Sequence, residues 1–154
     1  MTAASPESAP LRRASAGDLP ALVELEAVFP SDRISRRAFA RLLGRPSAEI
    51  WVCAEGAQLL GALVLLFRAG SRSGRIYSIV VRAEARQGGI ASRLLLLADE
   101  RCRQRGCRSI RLEVRARDLQ VRDFYRARGY LATAELPDYY EDGAPALRMH
   151  KPLP

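Results

Sequence analysis

The chain of 154 residues has few of the residues that build metal centres and thiol-based active sites, and it lacks a long hydrophobic run. Its three cysteines, Cys53, Cys102 and Cys107, do not have the spacing of zinc ligands, and its one histidine is His150. No apolar run reaches the roughly 20 residues that a membrane span needs. The sequence therefore predicts no metal site and no membrane span, and it favours buried thiols over a Cys–His nucleophile.

The N-terminal residues lack the basic start and the apolar segment of a secretory signal. We expect residues 1–10 to form a flexible tail and residues 11–154 to form one domain, because this length fits a single core and the hydrophobic fraction is 48%. An odd number of cysteines without a secretory signal is typical of a reducing compartment. The chain is therefore predicted to be cytoplasmic.

Lysine is as scarce as histidine, since Lys151 is the only one, although the net charge is +8. A positive charge of this size raises the hypothesis of nucleic-acid binding. The arginines are spread along the chain, however, and aromatic residues that could stack on bases are not interleaved with them. Solvated faces with a few anion contacts are favoured over a nucleic-acid surface.

Hydrophobic periodicity predicts the element order β-α-α-β-β-β-α-β-α-β-β, without an internal repeat. Asp18 and Ser35 are expected to cap the first two helices, and segments 49–54 and 58–67 are expected to form a hairpin. The near-continuous apolar strand 75–81 is expected to be central and covered on both faces. The pattern indicates one α/β domain with a mixed sheet.

The most informative segment is Arg86-Gln87-Gly88-Gly89-Ile90-Ala91, which separates that strand from a leucine-rich helix. Backbone N–H groups at a glycine-containing loop and at a helix N-terminus can hold phosphate, which the helix dipole also favours. The two glycines let a ligand approach the backbone closely, since no Cβ intervenes. The segment therefore predicts the site of a phosphorylated cofactor.

Two further segments follow in order along the chain, Leu112-Glu113-Val114-Arg115-Ala116 and Phe124-Tyr125-Arg126-Ala127-Arg128-Gly129-Tyr130. Together with Arg86-x-x-Gly89-x-Ala91 they resemble the GCN5-related N-acetyltransferase (GNAT) superfamily, and within it most the bacterial enzymes that acetylate the N-terminal alanine of a ribosomal protein. The resemblance covers about residues 11–152. It implies a single α/β GNAT-like domain, with helices flanking a mixed, mostly antiparallel sheet that splays between the fourth and fifth strands. It also implies acetyl-CoA as the acetyl donor.

By this resemblance the glycine loop binds the pyrophosphate of acetyl-CoA, and the end of the preceding strand pairs its backbone with the pantetheine arm. The family often has Asn just before the fourth helix, where this chain has Asp118. An aspartate can cap the helix, but it cannot donate a hydrogen bond as Asn does. The predicted cofactor residues are Ile79, Val80, Val81, Arg86, Gln87, Gly88, Gly89, Ile90, Ala91, Ser92 and Asp118.

The same resemblance assigns the two catalytic roles. Glu113 matches the general base, and Tyr125 matches the tyrosine that protonates the departing CoA thiolate. A base is required because only a neutral amine attacks, and a peptide α-amine has a pKa of about 7.7–8.0. Structural alternatives stay open: Glu113 forms an ion pair with Arg111 or Arg115, and Tyr125 is a core residue.

The resemblance also places Phe29, Tyr139 and Tyr140 beside the acceptor cleft, with loop packing as the alternative. Acidic residues next to the two tyrosines could draw a cationic amine. The chain is thus predicted to be a bacterial, acetyl-CoA-dependent N-acetyltransferase, a monomer or homodimer without a metal. A protein or peptide N-terminus is the first choice of acceptor, and a small amine such as a polyamine or an antibiotic is the second. A non-catalytic acetyl-CoA-binding module is the alternative.

Overall fold

The computed structural model describes residues 8–154, and its elements follow the predicted order. The strands are β1 (Leu11–Arg13), β2 (Ala48–Glu55), β3 (Gln58–Leu66), β4 (Ser73–Val81), β5 (Ser109–Arg115), β6 (Leu131–Leu136) and β7 (Ala146–Pro152). The helices are α1 (Leu19–Glu26), α2 (Arg36–Leu43), α3 (Ile90–Gln104) and α4 (Leu119–Arg126). In the described part of the chain, no helix is both long and apolar enough to cross a bilayer.

The expected tail of residues 1–10 lies mostly outside the described residues. Within them, Ala9 is fully buried, and its carbonyl accepts a hydrogen bond of 3.7 Å from Cys53 Sγ. Ala9 is thus part of the core beneath β2.

The seven strands form one mixed sheet in the order β1-β2-β3-β4-β5-β7-β6. Each neighbouring pair is antiparallel except β4 and β5, which are parallel. These two strands pair only at their starts, from Ser73 opposite Ser109 to Arg75 opposite Arg111, and they then separate. The predicted splay between the fourth and fifth strands is confirmed.

A β-bulge lies in β4 just beyond the point of separation. Val64 of β3 is opposite Ser78 and Leu65 is opposite Ile76, so Tyr77 is the extra residue. A bulge bends its strand and increases the local twist. The bulge thus lies where the pairing of β4 with β5 has just ended.

Each face of the sheet has its own hydrophobic core. Helices α3 and α4 cover the face that includes Ile110 and Leu112, whereas α1 and α2 cover the face that includes Ile50 and Val64. On this second face α1 packs on β3 and β4, and α2 packs on β2. The corresponding face of β5 carries polar side chains, because its apolar residues alternate toward α3.

In β3, residues 59–65 are all buried. Strand 75–81 is central, as predicted, since β4 is the fourth of the seven strands and packs against both cores through Ile76 and Val80. Its cover is incomplete, since Tyr77 is 45% exposed and Ile79 is only half-buried. Because the two strands splay apart, β5 does not lie beside the C-terminal part of β4. This part of β4 therefore adjoins an open gap.

One of the two predicted helix caps is confirmed. Ser35 Oγ accepts a hydrogen bond of 3.1 Å from the Ala38 N–H at the start of α2. Asp18 does not cap α1, because its carboxylate instead accepts hydrogen bonds from Arg12 (2.8 and 3.0 Å) and from the Ser15 N–H (2.8 Å). Asp18 therefore closes a short 3₁₀ turn that leads directly into α1.

Candidate functional site

The glycine loop stands at the end of β4 and opens α3. Gln87 and Gly89 have φ angles of 71° and 78°, in the left-handed region. A residue with a side chain is strained there, and such strain is concentrated at functional sites. Gly89 is the N-cap residue of α3, which runs for 15 residues from Ile90. The loop thus adjoins the positive end of a long helix dipole, where an anion is stabilised.

A cavity of about 310 Å³ lies against this loop. Seven of the eleven predicted cofactor residues line it, namely Val81, Arg86, Gln87, Gly89, Ile90, Ala91 and Ser92. Ile79 and Val80 lie further back on β4, Gly88 is in the loop without lining the cavity, and Asp118 is the N-cap residue of α4. Asp118 accepts the Val121 N–H at 3.1 Å, which confirms its capping role.

Arg128 also lines this cavity, and sequence reasoning missed it. Its guanidinium donates to the Phe124 carbonyl (2.8 Å) and to Ser92 Oγ (3.0 Å), and it stacks on the Phe124 ring at 3.6 Å. These contacts hold a positive charge against the first turn of α3. The spacing of the Phe-Tyr segment gave no signal for this position, because Arg128 reaches Ser92 only through the packing of α4 on α3.

The free edge of β4 adjoins the same cleft. Beyond Arg75, no strand of the described residues pairs with the side of β4 that faces β5. Ile79 and Val81 pack against the α3 core and Val80 packs against the α1 core, so their side chains fix the strand. The unpaired backbone groups can accept an extended, amide-bearing ligand as an added strand.

Glu113 lies on the opposite face of the sheet and is enclosed by three arginines. Its carboxylate is 3.3 Å from Arg75 Nε, 3.3 Å from Arg111 Nη1 and 3.1 Å from Arg148 Nη2, and its side chain is 4% exposed. The ion pair with Arg111 is one of the two anticipated from the sequence, whereas Arg115 pairs with Asp142 instead. The cluster carries three positive charges and one negative charge.

Two of these partners were missed because they reach Glu113 through sheet pairing. Arg148 is directly opposite Glu113 in the β5–β7 register, and Arg75 comes from β4 at the point where β4 and β5 separate. No local spacing in the sequence connects either residue with Glu113. Arg75 and Arg148 lie near Glu113 because of the order of the strands in the sheet, which the sequence pattern alone did not define.

Tyr125 is buried in the α3 core, on the other face of the sheet from Glu113. Its ring makes edge-on contacts with Phe124 (5.2 Å between centroids) and with Tyr130 (5.5 Å). Burial raises the pKa of the Tyr125 phenol, and the nearby Arg128 offsets only part of this effect. The hydroxyl is therefore protonated at neutral pH, which is the form that donates a proton.

The segment before α2 and the loop before β7 meet above Arg115. The Arg115 guanidinium donates to Ser31 Oγ (2.7 Å) and to Asp142 (2.9 Å), and it lies 4.4 Å from the centre of the Tyr140 ring. Burial raises the pKa of Tyr140 to about 12. The Glu141 N–H donates to Asp32 at 3.1 Å, which joins the two segments directly.

The other two predicted acceptor residues differ in position. Tyr139 is 38% exposed, and its hydroxyl accepts a hydrogen bond of 2.9 Å from Arg75, one of the Glu113 partners. Phe29 packs against the α1–α2 core. Buried Glu26 fixes the segment that follows Phe29, since it accepts the Ile34 N–H at 2.9 Å and the Ser78 hydroxyl at 2.7 Å.

A second and larger cleft, of about 680 Å³, lies where β4 and β5 are still paired. We call it the arginine cleft, because Arg45, Arg68, Arg75 and Arg111 line it together with His150 and the β3–β4 connection. Among the described residues no Asp or Glu lines it. Burial and the neighbouring Arg111 and Arg148 lower the pKa of His150. This cleft was not anticipated, and its charge is opposite to that expected for a cationic acceptor.

The thiols do not form a nucleophilic site. Cys53 and Cys102 are buried and Cys107 is half-buried, all as free cysteines. Burial raises the pKa of Cys102 to about 12, and Cys102 belongs to the α3 core. His150 alternates with buried Met149 on β7 and therefore faces the opposite side of the sheet.

Comparison with known proteins gives a consistent result. Residues 19–130 match the model of the acetyltransferase (GNAT) family. An uncharacterised N-acetyltransferase of Methanocaldococcus jannaschii is 40% identical over 83 residues, which are 53% of this chain and 53% of that protein. The match thus spans about half the length of this curated relative.

Two crystal structures share the whole fold. Ard1 from Thermoplasma volcanium aligns with a TM-score of 0.82 and 25% identity, covering 94% of this chain and 97% of that one. The ribosomal-protein-S18-alanine N-acetyltransferase from Escherichia coli aligns with a TM-score of 0.81 and 20% identity, covering 94% and 93%. The predicted GNAT-like α/β domain is confirmed, and the likeness to the ribosomal-protein enzyme concerns the fold.

Proposed function

The chain belongs to the acetyltransferase (GNAT) family, and from this premise we propose that it transfers the acetyl group of acetyl-CoA to a primary amine. Acetyltransferases of this family use acetyl-CoA as the donor. One observation carries the proposal: β4 separates from β5 beside a glycine loop at the N-terminus of α3. The separation offers a strand edge to the amides of the cofactor, and the helix end offers a positive dipole to its phosphates.

The residues around the smaller cleft fit this cofactor. Arg86 and Arg128 supply positive charge beside the loop, and Ser92 supplies a hydroxyl. A Cβ added at Gly89 would meet no protein atom within 4 Å, so the space in front of the loop is open to a ligand. When bound, acetyl-CoA supplies an acetyl group activated as a thioester.

Glu113 and Tyr125 support a division of roles across the sheet. Glu113 faces the side of α1 and α2, and Tyr125 lies on the side of α3 and α4. We propose that the gap between β4 and β5 connects the two sides. We assign to Glu113 the acceptance of a proton from the acceptor's ammonium group, directly or through a water, which leaves the neutral amine to attack the thioester, and to Tyr125 the donation of a proton to the departing sulfur.

The proposed acceptor is the N-terminal amine of a protein or peptide. The two segments that meet above Arg115 close one end of the polar face of β5, and the proposed path of an extended acceptor runs from Glu113 along this face away from them. The name of the Escherichia coli enzyme gives a ribosomal-protein alanine as its target. A peptide with N-terminal alanine is therefore the first acceptor to test, and a polyamine or an aminoglycoside is the second.

Two measurements test this function. Acetyl-CoA should raise the melting temperature of the protein, because a ligand that binds only the folded state stabilises it. CoA release should then depend on an added amine, and a panel of N-terminal peptides and small amines identifies the acceptor. Stabilisation by acetyl-CoA without CoA release from any amine would instead support a non-catalytic acetyl-CoA-binding module.

A further inference from the structure

We propose that the arginine cleft binds a carboxylate of the acceptor, so that the enzyme prefers N-terminal peptides with an acidic residue at the second or third position. This inference rests on the proposed acetyltransferase function, which supplies the acceptor amine. It deepens that function because it names a substrate class. The cleft is separate from the cavity at the glycine loop, with which it shares no lining residue.

The charge of the cleft is not compensated. Arg45 and Arg68 are exposed, and within residues 8–154 neither guanidinium has an ion-pair partner. Arg75 and Arg111 share the single carboxylate of Glu113 with Arg148. Burial, and after it the positive charges of Arg111 and Arg148, lowers the pKa of His150 in the same cleft. Guanidinium groups bind carboxylates strongly, since two N–H donors match two carboxylate oxygens.

The position of the cleft sets which residue of the acceptor it reaches. Arg75 and Arg111 line the cleft and also contact Glu113, where the amine is proposed to lose its proton. Arg111 precedes Glu113 by two residues on β5, which is about 6.6 Å along a strand. An extended peptide advances about 3.3–3.6 Å per residue. In a peptide that runs from Glu113 toward Arg111, with its amine near Glu113, the second or third side chain reaches the cleft.

The cleft favours a carboxylate over single-stranded nucleic acid. Proteins that bind single strands stack bases on aromatic rings. Phe67 is the aromatic ring in the cleft, and the Arg105 guanidinium covers it at 4.1 Å from the ring centre. One face of the ring is thus occupied within the protein, whereas the guanidinium groups of Arg45 and Arg68 are free to meet an anion.

The first experiment compares peptides that share an N-terminal alanine and differ only at positions two and three, which carry Glu, Gln or Lys. Peptide affinity is measured by fluorescence anisotropy, and kcat/KM is measured by CoA release. We expect the Glu peptide to exceed the Gln peptide by about fivefold or more in both, and the Lys peptide to be the weakest. Free glutamate, tested as a competitor, distinguishes a small amino acid from a peptide as the source of the carboxylate.

Charge-reversal variants test whether the arginine cleft causes the preference for the Glu peptide. The double variant Arg45→Glu/Arg68→Glu should lose the preference for the Glu peptide while it keeps its kcat/KM for the Gln peptide within about twofold. Both residues lie on exposed turns, so the fold is retained. The control Arg37→Glu/Arg103→Glu makes the same change in net charge on exposed helix positions outside the cleft, and it should keep the preference.

Equal affinity for the Glu, Gln and Lys peptides would overturn the proposal, as would an equal loss for all peptides in the Arg45/Arg68 variant. Tighter binding of a single-stranded oligonucleotide that is lost in this variant would also overturn it, in favour of a nucleic-acid site. Affinity is measured separately from turnover. A protein that binds the Glu peptide selectively but releases no CoA therefore confirms the cleft and contradicts the proposed function.

Discussion

At the residue scale, Tyr125 combines a core position with a proposed catalytic role. Its ring packs on Phe124 and Tyr130, and only its hydroxyl is required for proton donation. Tyr125→Phe keeps the ring and removes the donor, so we expect turnover to fall about 100-fold, whereas acetyl-CoA affinity and melting temperature change little. Steady-state kinetics and calorimetric titration with acetyl-CoA measure the two effects. Unchanged turnover with a good acceptor would remove Tyr125 from the mechanism.

A pH profile can distinguish the proposed role of Glu113 as a general base from its role as an ion-pair partner of three arginines. A peptide amine with a pKa near 8 is about one-tenth neutral at pH 7, so a base can contribute about tenfold by deprotonating it. We expect Glu113→Gln to lower kcat/KM by about this factor at pH 7 and to match the wild type above about pH 9, where the amine is already neutral. The profile of kcat/KM between pH 6 and pH 10 measures this. A constant deficit over the whole range would show that Glu113 acts only by positioning Arg75, Arg111 and Arg148.

Single residues were predictable where local sequence determines their surroundings. Gly89 and Ser92, which line the smaller cleft, could be predicted to lie close together because a strand, glycines and a helix follow one another within a few residues. Arg128 and Arg148 were not found, because each reaches its partner across an element that lies distant in sequence. The abundance of arginine added to the difficulty, since composition alone could not separate an arginine in a site from one on a solvated face.

At the element scale, the positions of the helices and strands were predictable from the sequence, whereas the pairing of the strands was only partly predictable. Periodicity and glycine positions defined each helix and strand to within a few residues, because these signals act locally. The splay between β4 and β5 came from family resemblance. The bulge at Tyr77 and the arginine cleft had no sequence signal, since both depend on how β3, β4 and β5 align.

The closed end of the splay depends on close packing of α3 on β4. A Cβ at Gly74 would overlap Cys102 Sγ, so only glycine lets the helix approach at this point. We expect Gly74→Ala to lower the free energy of unfolding by about 1–3 kcal/mol, as overpacked sites do. In Gly74→Ala/Cys102→Ala the sulfur is absent, and part of this loss should be recovered. Urea unfolding of the two single variants and the double variant measures the coupling, and strictly additive losses would contradict it.

At the scale of the whole molecule, the arginines that produce the net charge of +8 have different roles. Arg86 and Arg128 flank the glycine loop, while Arg45, Arg68, Arg75 and Arg111 line the second cleft. Other arginines stabilise the fold, as Arg101 and Arg105 do by holding α3 to β2 through Glu49. The high positive charge of this chain is thus accounted for by the two proposed anion sites and a set of internal ion pairs.

Glu49 makes the stability of the molecule depend on acid pH. Its side chain is fully buried, which raises its pKa, but hydrogen bonds from Arg101, Trp51 and Arg105 outweigh burial and lower the pKa to about 2. A carboxyl whose pKa is lower in the folded state stabilises the fold above its unfolded pKa of about 4.3, and this contribution is lost as the pH falls toward 2. Glu49→Gln should therefore cost about 2–3 kcal/mol at pH 7, and its deficit relative to the wild type should shrink below pH 4. Urea unfolding at pH 7, 4 and 3 measures this, with Glu135→Gln on the exposed edge strand β6 as a control that changes little. A deficit that stays constant from pH 7 to pH 3 would show that Glu49 stabilises the fold by packing rather than by its charge.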